Sequence, residues 1–295
     1  MIRNMSSNTS VNSSSLQAPL ENCLFSHRSS LHFTIIFIAH ILLLPLFILV
    51  LFVGFQQWRK RRAISKAMAT SHTDVLTFNM VVLEIIGVLS FSFLSFNIHK
   101  YHPSMMVVGF SILSIILPGQ TLFHMLASLE RYLAVVHPVT YQNLRQTAVI
   151  QIRNITVVCV WLVCFGIVTV MRTFLNNLAL ITNIFFLFLS AIAVSVSSLS
   201  VFCVLTRPGP GNRVKVDRIR QRALNNMLVL TGTLLLKFLS NLIGTMLTEF
   251  SLELDIDTCL VWSSAIWFGL PGSVVLPLLF LLRAGKLPGC RKKSR

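Results

Sequence analysis

Charged side chains are scarce in this chain. They make up 12% of its 295 residues, against about a quarter of a typical soluble domain, so most of its surface faces something other than water. Other absences narrow the function. There is no Gly-rich phosphate loop and no nucleophile motif, which argues against an enzyme. His99 and His102 stand three apart with no third ligand in view, so no metal centre is expected. No internal repeat of the kind many secondary transporters carry is present. No connection between apolar blocks is long enough to hold a folded domain. No apolar run precedes the first block, so a cleavable leader is not expected, and the first helix is read as its own signal anchor.

What is abundant is hydrophobic sequence, 54% of the chain, and it comes in blocks rather than amphipathic stripes. Seven blocks approach the roughly 20 residues that a helix needs to cross a bilayer. They are Leu31–Trp58, Asp74–Ile98, Met105–Val136, Ile152–Met171, Leu178–Leu205, Arg220–Thr248 and Thr258–Leu282. A lipid-exposed backbone must satisfy its own hydrogen bonds, so these blocks are read as helices. The expected fold is an all-α integral membrane bundle of seven transmembrane helices. Residues 1–30 form an N-terminal tail, 31–285 the helical domain and 286–295 a short basic tail.

The net charge of +16 is not a nucleic-acid signal, because its distribution follows the loops. Arg59, Lys60, Arg61 and Arg62 follow the first block, and Arg213, Lys215, Arg218, Arg220 and Arg222 lie between the fifth and sixth. Arg283, Lys286, Arg291, Lys292 and Lys293 close the chain. Basic residues on alternate loops mark the cytoplasmic side, so the N-terminus is expected outside and the C-terminus inside. Three sequons, beginning at Asn4, Asn8 and Asn12, crowd the Ser-rich tail and point the same way, as glycosylation acceptors. Asn154-Ile155-Thr156 also fits the pattern but falls on the cytoplasmic side, and is read as chance.

Cys23 and Cys259 are the two cysteines on the outer side. There they either bridge the tail to the last helix or stand as free thiols, and the bridge is the favoured reading. Cys290, between Lys286 and Arg291, is a candidate palmitoylation site. Polar residues also recur inside the blocks. Ser114, Thr121, His124, Ser128 and Arg131 share one face of the third helix, and Thr233, Lys237, Ser240, Asn241, Gly244 and Thr248 one face of the sixth. Such faces are expected to turn into the bundle. Gln120, His124 and Phe238 join Glu84 and Lys237 in the expected intramembrane core. His124, alone on its helix, is read as a hydrogen-bonded core residue rather than a base.

Glu130-Arg131-Tyr132 ends the third block and runs into Leu133-Ala134-Val135-Val136-His137-Pro138. This stretch resembles the acid-Arg-Tyr motif and following loop of rhodopsin-like G-protein-coupled receptors. Asn79, Glu84 and Trp161 resemble the family's second- and fourth-helix residues, and Pro277 and Phe280 its Asn-Pro-x-x-Tyr motif in altered form. The departures are equally specific. Met106 stands where the family usually has Cys, Leu276 where it has Asn, and Pro45 where the first helix has Asn. The usual Cys-Trp-x-Pro motif becomes Lys237-Phe238-Leu239-Ser240. Leu113, about where amine receptors carry an Asp, argues against a monoamine ligand.

The resemblance implies a divergent orphan or chemosensory-like receptor, without cofactor, at the plasma membrane. Its partners would be a heterotrimeric G protein, an extracellular or lipid-phase ligand and membrane lipids, with homo- or heterodimerisation open. At rest Glu130 would hold Arg131 by a charge-assisted bond; on activation the sixth helix would swing out and Arg131 meet the G protein. The weakened motifs of the last two helices keep a second reading open, a receptor-like binding or dimerisation partner without signalling. The buried Glu84 and Lys237 keep a third, a transporter. Finally, either Lys237 neutralises Glu84 in place of a bound cation, the favoured reading, or Glu84 stays protonated while Lys237 pairs elsewhere or loses its proton.

Overall fold

Every hydrophobic block becomes a helix in the computed structural model, which describes residues 27–63, 72–100, 103–137, 139, 147–167, 176–206, 214–254 and 258–284. The helices are α1 (His27–Ala63), α2 (His72–Lys100), α3 (Pro103–Val136), α4 (Thr147–Leu162), α5 (Asn176–Thr206), α6 (Val214–Leu254) and α7 (Thr258–Arg283). Among the described residues there is no strand. The chain is an all-α membrane bundle: six of the helices are long and apolar enough to cross a bilayer.

The seventh, α4, is not one uniform α-helix over the described part of the expected span 152–171. Its α-helix stops at Leu162 and continues as a π-helical turn, Val163–Ile167. Among the described residues its apolar stretch is Gln151–Gly166, and residues 168–175 lie outside the description. The wide turn carries Cys164 fully into the core. A Cβ on Gly119 of α3 would stand 3.1 Å from its sulfur, so a close approach of the two backbones accompanies the bulge.

Neighbours pack in a ring, α1 on α2, α2 on α3, α5 on α6, α6 on α7 and α7 back on α1, with α3 also against α4 and α5. The main core runs through α2 to α7 around Leu83, Phe123, Leu234 and Phe238. Smaller clusters close the two ends, Phe33, Ile36 and Leu94 at one and Phe47, Val50 and Leu281 at the other. Large apolar side chains such as Leu42, Leu162, Val196 and Leu199 stay exposed, as suits helices whose outer faces meet hydrocarbon rather than water. The prolines inside α1, α3 and α7 (Pro45, Pro118, Pro271 and Pro277) are tolerable in spanning helices, where neighbours and side chains take over the freed backbone groups.

Candidate functional site

The polar face read from the third helix does turn inward: Ser114, Thr121, His124, Ser128 and Arg131 of α3 are all buried, as are Glu84 of α2 and Lys237 and Gly244 of α6, whereas Thr233, Ser240 and Asn241 of α6 are half-buried. Glu84 and Lys237 meet beside Gln120 of α3 inside the bundle. The Lys237 ammonium donates to Gln120 Oε1 at 2.8 Å and lies 3.9 Å from Glu84 Oε1. Ser273 of α7 donates to the same Glu84 oxygen at 2.6 Å. Four helices therefore converge on one ion pair.

Two glycines make room for it. A Cβ on Gly272 would meet Lys237 Cδ at 3.3 Å, and one on Gly269 would meet Lys237 Cγ at 3.9 Å. The methylene stem of Lys237 thus lies along α7 where that helix has no side chains. Gly269, Gly272, Ser273, Leu276, Pro277 and Phe280 share one face by their three- and four-residue spacing. That periodicity places Ser273 on the face of Pro277 and Phe280 but does not by itself separate it from a packing residue.

A cavity of about 50 Å³ opens beside the pair, enough for a few water molecules at about 10–15 Å³ each. Its polar wall is His40, Glu84, Gln120, Lys237, Asn241 and Ser273, and the rest is mostly aliphatic or aromatic, including Phe91, Leu113, Leu117 and Ile266. His40, which sequence reasoning passed over, packs its ring on Phe91 at 4.6 Å and engages the Ile36 carbonyl through Nδ1 at 2.8 Å. Asn241 is fixed by donating to the Lys237 carbonyl. A second cavity of about 10 Å³ lies between Glu84, Ser273, Thr77, Pro277 and His124.

His124 departs from expectation. It is buried, but among the described residues neither ring nitrogen has a hydrogen-bond partner. The nearby Ser128 hydroxyl bonds the backbone carbonyl of His124 rather than its ring, and Phe238 meets that ring edge-on at 6.3 Å. The small second cavity leaves room for about one water there.

At the other end of α3, Arg131 is buried and its Nε and Nη1 have no hydrogen-bond partner among the described residues. Nor has Glu130 Oε2. Glu130 and Arg283 of α7 are near enough for their charges to act on Arg131. Tyr132 turns away toward His137, 3.3 Å from its Nε2. Phe280 is buried and packs edge-on against Phe78 at 5.3 Å. Trp161 Nε1 donates to Asn79 Oδ1 at 2.8 Å, tying α4 to α2. Pro138, Asn4, Asn8, Asn12, Cys23 and Cys290 lie outside the described residues, as does the side chain of Cys259.

Compared with known proteins, the chain matches no family model and no curated sequence.

Proposed function

We propose that this chain is a ligand-activated seven-helix receptor of the plasma membrane that signals through heterotrimeric G proteins. Its N-terminus would be outside and its C-terminus in the cytoplasm. One observation carries the reading: in the last third of α3, within Glu130-Arg131-Tyr132, a buried guanidinium keeps two of its nitrogens, Nε and Nη1, unpartnered among the described residues. Leaving a buried donor unmet costs about 1–3 kcal/mol, and more for a charged group. A guanidinium held that way suits a partner that arrives when the bundle opens. Opening would be driven by a ligand that binds one packing of the helices better than the other.

The test is Arg131→Ala beside Arg131→Lys, read by G-protein activation in cells and by surface display. Arg131→Ala is expected to reach the surface and to lose signalling by at least about tenfold, as the loss of a charged hydrogen bond worth ~1.5–3 kcal/mol requires. Arg220 stands where some rhodopsin-like receptors carry an acid that locks the Arg, so unless Asp217 substitutes, activity without ligand is also expected from the wild type. Wild-type signalling by Arg131→Ala would remove the reading.

A receptor-like partner without signalling is the second reading. The observation favouring it is that α6 runs from Val214 to Leu254 with no proline inside and is tied at Lys237 to α2 and α3. G-protein activation by the wild type separates the two.

The orientation has its own test. Replacing Asn4, Asn8 and Asn12 together by Gln should abolish the mass shift that a glycosidase produces on surface protein. A persistent shift would place Asn154, and with it the end bearing it, outside.

A further inference from the structure

Four consecutive basic residues, Arg59, Lys60, Arg61 and Arg62, stand at the C-terminal end of α1, and Lys66 follows them. Nothing acidic balances this run. α1 contains no Asp or Glu over its 37 residues, and the next acid along the chain is Asp74. Arg59 and Lys60 are exposed, and among the described residues neither has an ion-pair partner. Successive helix positions turn by about 100°, so four in a row ring the helix instead of forming one stripe.

Depth and neighbours place this collar against lipid. Residues 33–55 of α1 are predominantly apolar and rise about 33 Å at roughly 1.5 Å each, close to the roughly 30 Å of a bilayer's hydrocarbon core. The next turn therefore falls among the headgroups. There Phe55 and Trp58 stack with ring centroids 5.7 Å apart, both exposed, as aromatic side chains do at a membrane interface. Arg59 follows Phe55 by four positions, and position 62 follows Trp58 by four, so the charges continue the aromatic face one turn on. α1 packs on α2 and α7 at the rim of the bundle, and exposed Leu49 and Phe52 turn toward the acyl chains. This end of α1 thus offers an aromatic platform at the foot of the acyl chains and uncompensated cations just beyond it. A single cation answers only the diffuse charge of an anionic leaflet, whereas a cluster of four or more at a helix end suits a concentrated negative headgroup. Three of the four are Arg, whose fork grips phosphate through two parallel N–H···O bonds.

We infer that the C-terminal end of α1 binds a phospholipid whose headgroup carries more than one phosphate, with its acyl chains along Phe55 and Trp58. The site is separate from the Glu84–Lys237 cluster and from Arg131, and it stands whether or not the chain signals.

The experiment uses the purified full chain in phosphatidylcholine nanodiscs that hold, in both leaflets, an equal small fraction of phosphatidylinositol bisphosphate or of phosphatidylserine with the same acyl chains. Lipids kept by the protein are counted by native mass spectrometry. The bisphosphate lipid should be retained at least about tenfold over phosphatidylserine, as when its extra phosphates engage two further cations. Arg59→Gln/Lys60→Gln, which leaves three cations to hold the topology, should lower that retention by at least about tenfold. Lys215→Gln/Arg218→Gln, which removes the same charge from the start of α6, should lower it by less than about twofold, since surface charges this far apart are screened. Free inositol bisphosphate at the same concentration should not displace the lipid. Equal retention of the two lipids, equal losses in the two double variants, or displacement by the free headgroup overturns the proposal. Should Arg59→Gln/Lys60→Gln not fold, the wild-type preference between the lipids and its resistance to the free headgroup decide alone. Because both leaflets carry the probe, an inverted topology leaves the result unchanged.

Discussion

Glu84→Gln and Lys237→Met should each cut the amount of folded protein at the cell surface sharply, and combining them should restore part of it. A charged residue at the centre of a spanning helix costs on the order of 2.5–3.5 kcal/mol by insertion scales. The two charges are tolerable because they face each other at 3.9 Å inside the bundle, with Gln120 and Ser273 attached. Removing either partner strands the other, at a typical cost of about 3–5 kcal/mol, which is a large part of the total stability of a typical fold. Removing both takes away the stranded charge as well, so the double variant should be less damaged than the sum of the singles. The measurement is surface display together with thermal unfolding of purified protein. Strictly additive losses would mean that the two residues do not interact.

The spans and this pair were legible for the same reason. In a bilayer the solvent is uniform, so a long apolar block means a helix, and a charge inside such a block has to turn inward. The expected blocks consequently agree with α1, α2, α3, α5 and α7 to within a few residues, the largest gap being at the ends of α1. α6 extends further, to Leu254, because a helix does not stop where its sequence becomes polar. The π turn of α4 was not legible. It depends on how closely Cys164 and Gly119 approach, a contact between helices that no local pattern records.

Within the site, the sequence distinguished the residues that carry charge and missed those that give them shape. Ser273, Gly269 and Gly272 are small residues in an apolar helix, indistinguishable from packing residues until Lys237 is placed against them. His40 was hidden for a different reason: it sits on α1, whose other inward residues, Phe33, Ile36 and Phe47, are wholly apolar. The unpartnered ring of His124 could not be foreseen either. Its partners depend on which way the hydroxyls of its own helix turn, and these mostly bond backbone carbonyls one turn back, as Thr121 does to Leu117 and Ser128 to His124.

Glycine substitutions should divide by sign according to what stands opposite each position. Without a hydrophobic drive between helices in lipid, close backbone approach at small residues is a main source of association. Gly109 of α3 is such a place. A Cβ there would stand 2.8 Å from Leu94 Cγ and 3.2 Å from the backbone oxygen of Ser90, and the Ser90 hydroxyl donates to the Gly109 carbonyl at 2.6 Å. Leu94 can rotate, but the Ser90 carbonyl moves only if α2 moves. Gly109→Val should therefore push α2 and α3 apart, weaken that hydrogen bond and cost at least the ~1–3 kcal/mol typical of overpacking. Gly232, on the exposed side of α6, has nothing within 4 Å of the same position. There the substitution only relieves the helix of a glycine, so Gly232→Ala should gain about 0.5–1 kcal/mol. Thermal unfolding of the two variants beside the wild type reads both signs. A Gly109→Val protein as stable as the wild type would show that α2 and α3 do not approach each other at this point.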